Sequence, residues 1–191
     1  MHKRLIVFAL ASALAIALAA SAFAVGPPAD SSKQTKLGLY VTAKEAYDMW
    51  SANKDKVKIL DVRTPEEYSF VGHAPMALNI PSMAWTGVFN PERKAFGLKP
   101  NEDFVDEVKA KFMQDDAILV MCRSGQRSAV AVNKLAQANF TKVYNIVDGF
   151  EGDMEKDKNS PNFGKRSVDG WRNSGAPWTY DMDTALVHQS K

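Results

Sequence analysis

Residues Ala117, Ile118, Leu119, Val120 and Met121 form an unbroken apolar run, and the next residue is the chain's only cysteine, Cys122. A strand that is apolar on both sides must be covered on both sides, as parallel strands inside α/β sheets are. Other segments follow the same plan. Residues 57–62 read as a second buried strand, 77–80 as a brief one stopped by Pro81, and 143–147 as another. Thr42-Ala43-Lys44-Glu45 matches a capping box that opens a short helix carrying Ala46, Tyr47 and Trp50, and Thr64-Pro65-Glu66-Glu67 repeats the box with proline at the first helical position. Asn101 can cap a helix over about 102–113, with Phe104, Val105, Val108 and Phe112 on one face. Residues 128–138 are helical by pattern, with Asn139 as the stop. The alternation predicts a three-layer α/β domain around a mainly parallel sheet. Residues 82–100 show no clear period but contain Trp85, Phe89 and Phe96, which suggests a long connection packed by its own aromatics.

The chain opens with Met1-His2-Lys3-Arg4, continues apolar from Leu5 to Ala20, and then reads Ser21-Ala22-Phe23-Ala24. That is the pattern of a signal peptide over residues 1–24, with the cut after Ala24. Export is therefore expected, to a bacterial periplasm, with no cysteine near the cut for lipid attachment. Residues 25–36 are small, polar and proline-containing, and are expected to form a flexible lead. No later segment is apolar for long enough to span a bilayer, so no stable membrane insertion is expected after processing. Removing Lys3 and Arg4 from the 24 basic residues leaves 22, against 22 acidic ones. A balanced chain gives no electrostatic reason to expect nucleic acid as a partner. The length of 191 residues suits one domain.

Export sharpens the reading of Cys122. In an oxidising compartment structural cysteines usually come in pairs, and an unpaired one is a buried small hydrophobe, an intermolecular link or a reactive thiol. Cys122 stands where a buried strand passes into a helix, at the carboxyl edge of the sheet, where open α/β folds place their ligand sites. The residues after it are Arg123, Ser124, Gly125, Gln126, Arg127 and Ser128. Gly125 allows tight curvature, so successive N–H groups can form a concave nest for an anion. The helix start adds free N–H donors, and Arg123 and Arg127 add positive charge. Such a cradle suits a thiolate, the form of cysteine that attacks sulfur, and equally an anionic persulfide. The residues alone leave open whether its anion is thiosulfate, phosphate or arsenate.

The loop from Cys122 to Ser128, preceded by 118–121 and followed by a helix, resembles the active-site loop of the rhodanese family. The upstream run Leu60-Asp61-Val62-Arg63-Thr64-Pro65-Glu66-Glu67-Tyr68, with Gly72-His73-Ala74-Pro75 and Asn79-Ile80-Pro81, resembles that family's other motif. The resemblance spans roughly residues 40–151. It implies a rhodanese-like domain with a central five-stranded parallel sheet, over residues 37–180, followed by a C-terminal tail, 181–191. It also implies an activity: a sulfurtransferase whose Cys122 takes sulfane sulfur from a donor such as thiosulfate and passes it to a thiophilic acceptor such as cyanide or a thiol. Backbone N–H groups from Arg123 to Ser128 would hold the persulfide, and Arg123 would attract the anionic donor. Asp61, Arg63 and Glu67 would brace the loop, a carboxylate near Arg127 fixing its guanidinium by a bidentate pair. His73 is expected to be a hydrogen-bonded structural residue rather than a general base. No cofactor is implied, and one cysteine with scattered histidines gives no metal site.

Related phosphatases and arsenate reductases carry one more residue between cysteine and arginine. Here four residues separate Cys122 from Arg127, which favours sulfur transfer. The alternative classes are a non-catalytic rhodanese module that binds a partner protein, and a sensor of oxyanions or thiol redox state. The chain also departs from the family pattern. One extra residue stands before Gly72-His73, Ala74 replaces a branched aliphatic, and Asp148-Gly149 stands where two glycines are common. Residues 152–170 intervene before Trp171-Arg172-Asn173-Ser174-Gly175-Ala176-Pro177, which resembles the family's closing turn, so they are expected to be an inserted surface loop.

Overall fold

A computed structural model describes residues 25–189; the expected signal peptide lies outside them. In chain order the elements are β1 (Tyr40–Val41), α1 (Ala43–Ala52), β2 (Val57–Asp61), α2 (Pro65–Val71), β3 (Leu78–Asn79), β4 (Met83–Asn90), β5 (Ala95–Pro100), α3 (Phe104–Lys109), β6 (Ala117–Met121), α4 (Gln126–Gln137), β7 (Val143–Ile146), β8 (Asp153–Met154) and β9 (Arg166–Val168), with single 3-10 turns at Ser31–Lys33 and Trp171–Asn173. Five strands form one sheet in the order β1-β7-β6-β2-β3, and every pairing is parallel. This is the fold expected from the sequence, with β6 at the centre.

Alternation along the strands sorts the core into two layers. Ile59, Leu119, Met121 and Ile146 pack against Ala43, Ala46 and Met49 of α1 and against Trp171. Leu60, Ile118, Val120 and Val143 pack on the opposite face against Phe104 and Val108 of α3 and Ala131, Val132 and Leu135 of α4. Both capping boxes form: the Thr42 and Thr64 side chains accept from the Glu45 and Glu67 amides, and each glutamate reaches back to its cap residue's amide.

Three segments differ from expectation. Residues 83–100 form an antiparallel hairpin, with Trp85 opposite Leu98 and Phe89 opposite Phe96. A bulge between Trp85 and Phe89 breaks the alternation, which is why no period is visible in the sequence. Helix α3 is shorter than its apolar pattern suggested. The Asn101 side chain accepts from Asp103 N (3.1 Å) and donates to Pro81 O (2.9 Å), so it caps a turn and ties the hairpin's exit to its entrance. The lead at 25–36 is anchored at one point: Lys33 is buried, its Nζ lies 3.0 Å from Asp153, and its carbonyl accepts from Asn145 Nδ2 at 2.8 Å, while most of the other residues are exposed.

Residues 153–168 project as the β8–β9 hairpin, after which the chain enters the core at Trp171, which is fully buried. Asn79 of the edge strand β3 donates its backbone N–H to Leu186 O (2.8 Å), so the C-terminal segment satisfies part of an otherwise open sheet edge. Among the described residues no helix is long and apolar enough to cross a membrane.

Candidate active site

The alternation of β6 runs one residue past its end, so Cys122 shares the face of Ile118 and Val120. The chain then bends through Arg123, Ser124 and Gly125 into α4. The bend is gripped by its carbonyls: Phe150 N donates to Cys122 O (2.8 Å), Glu151 N to Arg123 O (2.9 Å) and Asn145 Nδ2 to Gly125 O (3.0 Å). On its inner side, Gly125 N donates to Cys122 Sγ at 3.2 Å and Ser128 Oγ lies 3.4 Å from the same sulfur.

Two glycines make this closeness possible. Gly125 has φ +96°, and a Cβ there would lie 2.2 Å from Val147 O. Gly149 has φ +62°, and its Cβ would lie 2.6 Å from Cys122 O and Ser124 N. Both positions need the left-handed region and have no room for a side chain.

Arg127 lies in the first turn of α4 and meets Glu67 of α2 in a two-bond pair, Nη1 to Oε2 at 2.7 Å and Nη2 to Oε1 at 2.5 Å. Glu67 is thus shared between its capping box and the arginine. Burial pushes the Glu67 carboxyl up, but the hydrogen bonds and charge of Arg127, with the Thr64 amide and the Arg63 charge, outweigh it and hold the group below its ordinary value. For Arg127 burial works downward; the hydrogen bonds and charge of Glu67 more than offset it and raise the guanidinium.

Asp61 and Arg63 lie beneath the site, both wholly buried, and are joined at 2.6 Å. Arg63 also donates to Gly72 O (2.9 Å) and lies over the Phe150 ring, 4.1 Å from its centre. Asn79 Nδ2 donates to the carbonyls of both Asp61 and Arg63. This network fixes the turn from β2 into α2, and so the position of Glu67. His73 is buried away from the cavity, stacked on Tyr68 at 3.7 Å with its Nδ1 3.1 Å from Tyr68 O. Burial raises the Tyr68 hydroxyl well above its ordinary value, and that hydroxyl donates to Ala77 O.

A cavity of about 450 Å³ opens over the loop, lined by Thr64, Glu66 and Glu67, by Trp85, Phe96 and Leu98, and by Cys122, Arg123, Ser124, Gln126 and Arg127. Cys122 itself is only 1% exposed, so the thiol lies in the floor of this cavity rather than at its mouth. Arg123 and Gln126 are exposed on the rim.

Sequence reasoning missed several contributors. Asn145 is a fully buried amide in an otherwise apolar strand and ties the loop to the N-terminal segment. A lone asparagine between Tyr144 and Ile146 was the available signal. Asp148 accepts from Ala43 N (2.8 Å) and Gly170 N (2.9 Å), joining three segments just before Gly149. The hairpin residues Trp85, Phe96 and Leu98 could not be placed at the cavity from sequence, because their neighbours there are distant in the chain.

A family model, the rhodanese-like domain, matches residues 42–156. Among curated proteins, the chain is 39% identical over 118 residues to thiosulfate sulfurtransferase 16, chloroplastic, of Arabidopsis thaliana, covering 62% of this chain and 88% of that one. It is 32% identical over 143 residues to an uncharacterized protein of Rickettsia prowazekii, covering 73% and 96%. Among solved structures, the crystal structure of Rv0390 from M. tuberculosis superposes with a TM-score of 0.59 at 27% identity, covering 73% of this chain and 96% of that one.

Proposed function

The chain belongs to the rhodanese-like domain family, and from that premise we propose that it is an exported sulfurtransferase that moves sulfane sulfur through a Cys122 persulfide. The observation that carries this reading is the floor of the cavity: a sulfur atom that receives the Gly125 amide at 3.2 Å and the Ser128 hydroxyl at 3.4 Å, in a cavity that Arg127 also lines. An amide and a hydroxyl so placed can donate to a sulfur atom that carries negative charge during transfer.

In the proposed cycle the Cys122 thiolate attacks the outer sulfur of a donor such as thiosulfate. A new S–S bond forms, the donor's S–S bond breaks, and sulfite leaves with its electron pair. The added sulfur lies about 2 Å beyond Sγ, which carries the reactive atom from the buried floor into the cavity. An acceptor such as cyanide or a thiolate then attacks that outer sulfur and releases the Cys122 thiolate. Arg123 at the rim supplies positive charge for the incoming anion, whereas Arg127, held by Glu67, contributes a fixed charge beside the loop.

The short loop, with four residues between Cys122 and Arg127, favours sulfur over a tetrahedral phosphate. Export rests on the leader pattern of residues 1–24, with processing before Val25 and a periplasmic destination. The reading is tested by steady-state formation of thiocyanate from thiosulfate and cyanide, with an aryl phosphate as the contrasting substrate. Thiocyanate formation that Cys122→Ser abolishes is the expected result; aryl phosphate hydrolysis without thiocyanate would reverse the assignment.

A further inference from the structure

The back of the Cys122 loop is closed by a segment that lies outside the matched domain, which begins at residue 42. The single 3-10 turn Ser31–Lys33 lies beside the start of α4, where Gln126 Nε2 donates to Asp30 Oδ2 at 3.3 Å. Lys33 reaches the loop itself. A Cβ on Gly125 would lie 3.1 Å from Lys33 Cδ, so the lysine stem packs on the open face of that glycine. The carbonyls of Lys33 and Gly125 accept from one amide, Asn145 Nδ2, at 2.8 and 3.0 Å. The stem ends in an ion pair, Nζ to Asp153 of β8 at 3.0 Å, and the lysine side chain is only 11% exposed. An ammonium held so deep needs such a partner, and Asp153 thereby fixes where the stem lies.

Gly125 is the residue whose N–H donates to Cys122 Sγ at 3.2 Å. Glycine has the widest choice of backbone conformations, so this donor stays on the sulfur only while its neighbours hold the residue at its φ of +96°. The donor matters most when sulfur leaves. As an acceptor such as cyanide attacks the outer persulfide sulfur, a C–S bond forms and the S–S bond to Cys122 breaks. The electron pair returns to Sγ, and negative charge grows where the Gly125 N–H points. No proton is transferred and no oxidant is needed.

We infer that Lys33 is a positioning residue for sulfur transfer: held by Asp153 and Asn145, it keeps Gly125 in the conformation that aims its N–H at Cys122 Sγ. This inference rests on the sulfurtransferase reading and adds to it a part for two segments that meet behind the loop, the N-terminal lead and the β8–β9 hairpin. Lys33 is not among the residues lining the cavity over Cys122, and its charge is met by Asp153. It acts on the reacting sulfur through Gly125 and not on the small molecules that enter the cavity. Loss of Lys33 therefore slows the breaking of the Cys122–S bond and leaves the acceptor concentration required unchanged.

The test loads the full chain with thiosulfate and follows, by intact mass, the loss of that sulfur in a single turnover over a range of cyanide concentrations. In Lys33→Ala the maximal rate should fall about tenfold, with half-saturating cyanide within about twofold of wild type. Lys33→Arg, which keeps an apolar stem and a cation for Asp153, should stay within about twofold of the wild-type rate. Asp153→Asn changes a half-exposed side chain, and should slow the same step by about threefold in a folded protein. Unchanged maximal rates in Lys33→Ala and Asp153→Asn, even with lowered urea midpoints, would reduce Lys33 to a structural residue and overturn the inference. So would a rise in half-saturating cyanide at constant maximal rate, or a Lys33→Arg protein as slow as Lys33→Ala. Failure of the wild-type protein to take up sulfur would instead overturn the transfer reading on which the inference rests.

Discussion

Glu67 and Arg127 lie sixty positions apart in the chain and close on each other through two hydrogen bonds of 2.7 and 2.5 Å. The pair links the N-terminus of α2 to the first turn of α4, and so links the upstream motif to the loop that carries Cys122. Each side chain is less than a quarter exposed, which places the pair between a surface bridge and a buried one.

Glu67→Gln should accordingly cost about 2 kcal/mol of folding stability and slow sulfur loading by displacing Arg127. Its pH dependence follows from the carboxyl's lowered value. The stabilisation is complete above the ordinary value of 4.5 and is lost as pH falls through the depressed one. Urea unfolding at neutral and acidic pH should show the wild type's advantage over Glu67→Gln shrinking on acidification; a constant gap would contradict the pairing.

Gly149→Ala tests the contact between the turn and the loop. The added Cβ would stand 2.6 Å from Cys122 O and Ser124 N, in a backbone conformation that alanine resists. A loss of about 2 kcal/mol or more is expected, with sulfur loading reduced at least as strongly as stability. Thermal unfolding and loading rates measured on the same preparation check this, and an unperturbed loading rate would show that the turn does not set the loop.

Asp148→Ala removes the acceptor for two backbone amides, Ala43 N and Gly170 N, and should destabilise by about 2–4 kcal/mol. Burial raises the Asp148 carboxyl, and the amides only partly offset it. Its titration therefore opposes that of Glu67: its contribution is complete below the ordinary value of 3.8 and declines as pH rises through the raised one. Chemical unfolding of the variant across pH 3 to 7, a range of about four units around these groups, should show a destabilisation that is larger at the acid end.

Much of this architecture was legible in the sequence because it rests on local signals. Apolar runs marked β2, β6 and β7, the two capping boxes marked the starts of α1 and α2, and the strand-to-helix passage at Cys122 marked the loop. The illegible parts depend on distant neighbours. The bulge hid the hairpin's period, and Lys33 gave no sign that its stem would pack beside Gly125 and its ammonium meet Asp153. A polar, proline-containing segment carries no local sign of a contact; here one buried lysine and one asparagine join it to the loop's far side.

The central claim concerns the sulfur at Cys122, and intact mass measurement after incubation with thiosulfate tests it most directly. The protein should gain the mass of one sulfur atom, lose it again on addition of cyanide, and show neither change as Cys122→Ser. A mass that stays constant, or a gain that persists in Cys122→Ser, would contradict the account.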